Sequence, residues 1–191
     1  MERVVYIIPG FGQSIRKPVY KEISRSFRDK GIEPIPVDIS WKYRTMSDYI
    51  EQFRTRYREN FEGEVYLLGF SFGAMVCFIS SIEIKPKIQF LCSLSPYFRE
   101  DLRDLPNWFK KYVGKKRIRD FGNYSFNEIA KKVKSKVVIL VGSEEHKTCL
   151  KRVREANKRL KNNELKIIEG VKHDISQEKY LRSLEEVIND L

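Results

Sequence analysis

"EVYLLGFSFGAMVCFISSIEI" (Glu64–Ile84) changes its period in the middle. As far as Phe70 it is a run of apolar residues without strict polar alternation, the pattern of a strand buried on both faces. From Ala74 onward the apolar residues recur at helical spacing. The switch falls on Gly69-Phe70-Ser71-Phe72-Gly73, a serine held between two phenylalanines and bracketed by glycines. A strand that becomes a helix at one residue forces that residue into a strained backbone conformation, and glycines on either side let strand and helix approach without Cβ clashes. The Ser71 hydroxyl then projects beyond the carboxyl end of the strand. The N–H of Phe72, opening the helix, points where negative charge on a bound group would be stabilised.

Working outward, the same kind of apolar run recurs at 3–8 (RVVYII), 33–39 (EPIPVDI), 87–94 (KIQFLCSL), 136–142 (KVVILVG) and 164–169 (ELKIIE). With 64–70 these make six strands. Amphipathic stretches at 18–31, 46–61, 74–84, 147–160 and 176–191 read as helices, with Pro18 suited to a first turn and Gly31 to a C-cap. Alternation of this kind predicts an α/β protein: a three-layer α/β/α sandwich with a mostly parallel six-stranded sheet, formed by residues 1–191 as a single domain. One interval breaks the rhythm. Between Leu94 and Lys136 the chain is much longer than a simple crossover needs, so a short insertion, about 96–126, is expected over one end of the sheet.

Composition narrows the function classes. Cys77, Cys92 and Cys149 are odd in number and scattered, which argues against a disulfide framework or a zinc site and favours a reducing cytoplasm. The apolar run before Pro9 is too short for a signal sequence, and no later run is long enough to span a membrane. Lys and Arg number 37 against 26 Asp and Glu, a formal charge of +11. Most of that charge is dispersed; the one concentrated segment is Lys110–Arg119, a candidate for nucleic-acid contact. No phosphate-binding G-x-x-x-x-G-K-S/T or dinucleotide G-x-G-x-x-G pattern is present.

The GFSFG segment, set between a buried strand and a helix, resembles the G-x-S-x-G nucleophile elbow of the α/β-hydrolase superfamily. The resemblance implies a minimal version of that fold, lacking the first two strands of larger members, with the insertion as its cap. It also implies a triad in the order nucleophile, acid, histidine. Ser71 is then the nucleophile. His173, in "EGVKHDIS" directly after the last strand, emerges at the same carboxyl edge and is the general base; His146 is the fallback. The acid follows "VILVG": Glu145 matches the family position, where aspartate is commoner, and Glu144 stays open beside it. "IIPGFGQS" is similar to the family's oxyanion loop, which makes the N–H of Phe11 the second donor beside that of Phe72, with Gly10 and Gly12 permitting close approach of main chain to substrate.

What the resemblance implies is a serine hydrolase that cleaves a carboxylic ester or thioester through a Ser-His-Glu triad and an acyl-enzyme, with no metal and no organic cofactor. Phe70 suggests an apolar approach to the serine, and Trp108, with Phe98, Phe109 and Tyr112, is a candidate wall of the substrate pocket. Two other classes remain at this stage: a catalytically silent hydrolase-fold binding protein, and a nucleic-acid-binding protein working through Lys110–Arg119.

Overall fold

The apolar runs become β1 (Arg3–Ile8), β2 (Glu33–Pro36), β3 (Glu64–Phe70), β4 (Ile88–Cys92), β5 (Lys136–Gly142) and β6 (Asn163–Ile168) in the computed structural model, which describes residues 1–57 and 61–191. They form one sheet in the order β2-β1-β3-β4-β5-β6. Every ladder is parallel, so the sheet expected to be mostly parallel is parallel throughout. β3 lies inside it, with Leu68 opposite Ile7 on one side and Phe90 on the other. β2 stops at Pro36, short of the expected 39. Pro34 and Pro36 have no N–H to give a ladder, and an edge strand is where a sheet tolerates that.

Among the described residues there are eight α-helices: α1 (Pro18–Asp29), α2 (Met46–Arg54), α3 (Phe72–Ile84), α4 (Asn107–Val113), α5 (Lys115–Phe121), α6 (Phe126–Ala130), α7 (Lys147–Arg159) and α8 (Glu178–Asn189). Of these, α1, α2, α3, α7 and α8 answer the five stretches that read as helices, and α4, α5 and α6 fall in the long interval after β4. α1 and α8 cover one face of the sheet, where Ile23, Phe27, Tyr180 and Leu184 pack on Ile7, Leu68 and Val138. Helices α2, α3, α6 and α7 cover the other, around Tyr6, Leu67, Met75 and Ile139. A fully buried aromatic such as Phe27 contributes about 1.5–3 kcal/mol to this packing. α2 begins at a capping box, in which the Thr45 hydroxyl accepts from the Asp48 N–H and the Asp48 carboxylate accepts from the Thr45 N–H. It ends at Arg54 rather than 61; residues 58–60 of the expected helix lie outside the described residues. Among the described residues no helix is long and apolar enough to cross a membrane.

The long interval between β4 and β5 holds a 3-10 helix (Arg99–Asp104), α4, α5 and α6. Its base is tied down by a nearly buried ion pair: Arg152 on α7 donates through Nε to Asp101 at 3.0 Å and through a second nitrogen to the other carboxylate oxygen. The same guanidinium lies 4.4 Å from the centre of the Phe126 ring. Phe98 is fully buried against Phe78 and Phe126, so it belongs to the core beneath this segment and not to a pocket wall. Asp120 accepts from the Ser47 N–H at 3.0 Å, which joins α5 to the start of α2.

Candidate active site

The turn at Ser71 is where the local geometry is tightest. Ser71 has φ 57° and ψ −114°, a conformation that side chains rarely adopt, and its N–H donates to the Cys92 carbonyl at 2.8 Å. A Cβ on Gly69 would lie 2.3 Å from the Gly73 carbonyl, and one on Gly73 would lie 2.3 Å from the Ile8 oxygen. Both glycines are therefore demanded by the crossing of α3 over β1 and β3, and the strain at Ser71 is held by that packing. Its hydroxyl is carried past the sheet edge, where the loops after β5 and β6 also end.

Those loops bring two side chains to it. His173 Nε2 lies 3.0 Å from Ser71 Oγ, and His173 Nδ1 lies 2.7 Å from Glu145 Oε2. The imidazole packs on Phe70, ring centres 5.0 Å apart, while its side chain keeps 44% of its surface in solvent. Glu145 is buried. Its Oε1 accepts from the Ser93 hydroxyl at 2.5 Å and the Gly142 N–H at 3.1 Å, and its Oε2 also accepts from Cys149 at 3.0 Å. Burial pushes this carboxyl upward, but the hydrogen bond and charge of His173, with the Ser93 and Cys149 donors, outweigh it and leave the group below the ordinary glutamate range. Glu144 is exposed, so of the two adjacent carboxylates only Glu145 reaches the imidazole. His146 caps α7, its Nδ1 2.8 Å from the Thr148 hydroxyl, and makes no bond to Ser71.

The loop after β1 borders the same spot. A Cβ at Gly10 would lie 3.4 Å from that of Ser71 and 2.7 Å from the Phe70 ring, and the Gly10 N–H is taken by the Tyr20 hydroxyl at 3.1 Å. Gly10 thus serves packing, whereas Gly12, exposed and at φ 72°, closes the turn. Phe11 and Phe72 bring their rings to 5.0 Å. The Phe72 N–H, first in α3, stands outside the helix's own ladder, as the first N–H groups of any α-helix do.

No protein-family model matches the chain, and no curated protein matches it in sequence. Solved structures do match in shape. Est1E from Butyrivibrio proteoclasticus aligns at a TM-score of 0.83 with 15% identity, covering 99% of this chain and 86% of that one. Alpha/beta hydrolase domain-containing protein 10 from mouse gives 0.82 with 14% identity, over 98% of this chain and 88% of that one. An esterase of Pyrococcus furiosus gives 0.72 with 15% identity, over 99% and 80%. The chain has the α/β-hydrolase fold.

Within this hydrolase fold, a cleft of about 220 Å³ opens beside His173, walled by Tyr97, Leu105, Trp108 and Phe109. Tyr97 and Phe109 stack at 4.7 Å, and Trp108 stands at the rim, 65% exposed. Tyr112 is 71% exposed on the outer side of α4 and does not line the cleft. Phe70, 1% exposed, lies under the imidazole and forms no part of the approach to the serine. Phe72 is nearly buried, among Phe11, Trp41, Tyr49 and Tyr97.

Several functional neighbours were not singled out in the sequence. Ser95 lines the cleft and its hydroxyl lies 3.1 Å from Ser71 Oγ. Ser93, at φ 53°, supports Glu145 and lies 2.9 Å from the Tyr180 hydroxyl. The one local sign of them was a pair of serines just past the carboxyl end of the strand next to the elbow. Glu145, Cys149 and His173 bring a carboxylate, a thiol and a ring nitrogen within 4.8 Å of one another, a set that could in principle hold a metal ion. Nδ1 and Sγ are both already committed to Oε2, and burial pushes the Cys149 thiol well up, so the set suits hydrogen bonding better than a cation.

Proposed function

We propose that this protein is a serine hydrolase acting on small carboxylic esters or thioesters, with Ser71 as nucleophile, His173 as general base and acid, and Glu145 as the acid of the triad. The observation that carries the reading is the continuous pair of contacts from Ser71 Oγ through the imidazole to Glu145, 3.0 and 2.7 Å long. A serine hydroxyl is a weak nucleophile at neutral pH and needs a base at such a distance.

The Ser71 proton passes to His173 Nε2 as Oγ bonds to the carbonyl carbon, and the carbonyl electron pair moves to oxygen. The N–H groups of Phe11 and Phe72 hold that oxyanion. Glu145 accepts from Nδ1–H, which fixes the tautomer that leaves Nε2 free and stabilises the imidazolium once it forms. Collapse expels the alcohol or thiol with the proton from His173. Water, deprotonated by the same imidazole, then releases the acid and regenerates Ser71. The cleft suits an apolar acyl or alcohol group, with Trp108 at its rim; Gly12 leaves the main chain of the first loop open to substrate. Phe70 and Gly10 act indirectly, by seating the imidazole and the oxyanion loop. Est1E has also been solved with ferulic acid bound, in keeping with a small ester substrate for a site of this shape. Three free, buried cysteines favour a cytoplasmic setting.

A fluorophosphonate probe tests the reading directly. We expect wild-type protein to be labelled, Ser71→Ala to be unlabelled, and His173→Ala to react more slowly by about 10³-fold or more. A folded wild type that resists the probe would identify a protein that keeps this fold for binding alone.

A further inference from the structure

We propose that the outer face of α4 docks the protein onto an anionic lipid bilayer. α4 is two-sided. Phe109 and Val113 turn inward, Phe109 stacking on Tyr97 and Val113 buried. Trp108 and Tyr112, one turn apart, point outward at 65% and 71% exposure. Lys111 and Lys115 are exposed beside them, and a shallow depression next to this stripe is rimmed by Lys110, Lys111 and Lys115.

Charge singles out the partner. From Leu105 to Arg119 there is no acidic residue, and among the described residues none of Lys110, Lys111, Lys115 and Lys116 stands in an ion pair. Half-exposed Trp and Tyr rings with lysines alongside are the composition that settles at a headgroup boundary, with the rings at the acyl edge and the ammonium groups among the phosphates. Each lysine facing an anionic leaflet strengthens partitioning by about fivefold, from roughly 1 kcal/mol per charge. A nucleic-acid strand fits less well, since of the two exposed rings Trp108 borders the cleft and Tyr112 stands outside it, so the pair does not line one groove that could track a backbone. Trp108 and Phe109 also wall the cleft at His173, so docking would set its mouth at the bilayer surface. That last consequence rests on the hydrolase reading; the docking itself does not.

Co-sedimentation of the full chain with phosphatidylcholine vesicles, with and without about 30% phosphatidylserine, is the test. We expect retention on the anionic vesicles that weakens with salt, and a blue shift of tryptophan emission that Trp108→Phe abolishes, since Trp41 is already buried. The double change Lys111→Glu with Lys115→Glu should lower vesicle partitioning by roughly twentyfold or more, two charges at about fivefold each. Tyr112→Ser should lower it severalfold. Both variants should keep fluorophosphonate labelling, which separates a failure of docking from a failure of catalysis. Absence of retention on anionic vesicles, retention unchanged by the charge reversals, or tighter binding to a single-stranded oligonucleotide than to vesicles at the same salt would each overturn the proposal.

Discussion

Ser93 and Glu145 stand 52 residues apart in the chain and meet at 2.5 Å, the hydroxyl donating to Oε1. With its one proton given to a carboxylate, Ser93 has none left for Tyr180, whose hydroxyl lies 2.9 Å away and donates to the Leu140 carbonyl at 3.0 Å. β4, β5 and α8 are thereby joined around the acid. Replacing Ser93 by Gly removes the hydroxyl while suiting the positive φ at this position. The variant should lose about tenfold in kcat/KM, the worth of one hydrogen bond to a charged group. Losing a donor to the ionised form raises the Glu145 pKa, so the carboxylate, followed by infrared difference spectroscopy, should take up its proton at higher pH than in wild type. A rate that drops with no such movement would mean Ser93 is merely structural.

Glu145 and Glu144 are adjacent in sequence and opposite in environment, one buried under the imidazole and one in solvent. Glu145→Gln should depress kcat by about 10³- to 10⁴-fold, because an amide can offer its N–H to the ring and favour the wrong tautomer. Glu144→Gln should stay within about twofold of wild type, as surface changes usually do. Comparable losses in both would contradict the assignment of the acid.

The same carboxylate gives stability a pH dependence. Burial raises the Glu145 pKa, the His173, Ser93 and Cys149 contacts more than reverse this, and the native value ends below the ordinary one. A group depressed in the folded state contributes its full stability above the unfolded pKa, about 4.3 for glutamate. That contribution is lost as pH falls through the lowered native value. Urea unfolding of wild type and Glu145→Gln at pH 6, 4.5 and 3.5 should show a stability gap that narrows toward acid; a constant gap would rule the linkage out.

Gly73→Ala probes the elbow. The new methyl would meet the Ile8 oxygen at 2.3 Å and the Pro9 oxygen at 2.5 Å, backbone atoms that cannot rotate away. Overpacking of this kind costs about 1–3 kcal/mol, or a fall in Tm of roughly 2–4 °C for each kcal/mol in a chain of this size. Calorimetry checks it, and activity per folded molecule should fall too because Ser71 is the next residue but one.

The parts of this site that were legible in the sequence are those a backbone requirement dictates. Gly69 and Gly73 announce themselves because nothing larger fits where α3 crosses β1, and the apolar runs announce a sheet covered on both faces. His173 could be placed because the sheet is parallel and its loop leaves the same edge as Ser71. What could not be read depends on contacts between strands distant in sequence. Glu145 is distinguished from Glu144 by donors on Ser93 and Gly142, and Ser95 matters only because β4 lies next to β3. Side-chain direction in the insertion was equally hidden: Phe98 went to the core, Trp108 to the rim and Tyr112 to solvent, although all three are aromatic residues of one short segment.

Arg117 belongs to the basic segment yet faces inward: its hydrogen bonds join that segment to residues 41–44, and its guanidinium lies over the ring of Phe11 in the loop after β1. Its Nε donates to the Arg44 carbonyl at 2.7 Å and a second nitrogen to the Trp41 carbonyl at 3.0 Å. The guanidinium plane lies 5.1 Å from the centre of the Phe11 ring. A planar fork can serve two carbonyls and an aromatic face together; an ammonium cannot. Arg117→Lys keeps the charge but frees α5 and the Phe11 ring, so the Phe11 N–H, the proposed second oxyanion donor, is held less firmly. We expect kcat to fall by about tenfold, within the loss seen when an oxyanion donor is weakened and not removed, with KM for a short soluble ester changed far less. Arg117→Ala should behave the same way. A lysine variant with wild-type kcat would show that only the charge at this position matters, and would detach α5 from the chemistry at Ser71.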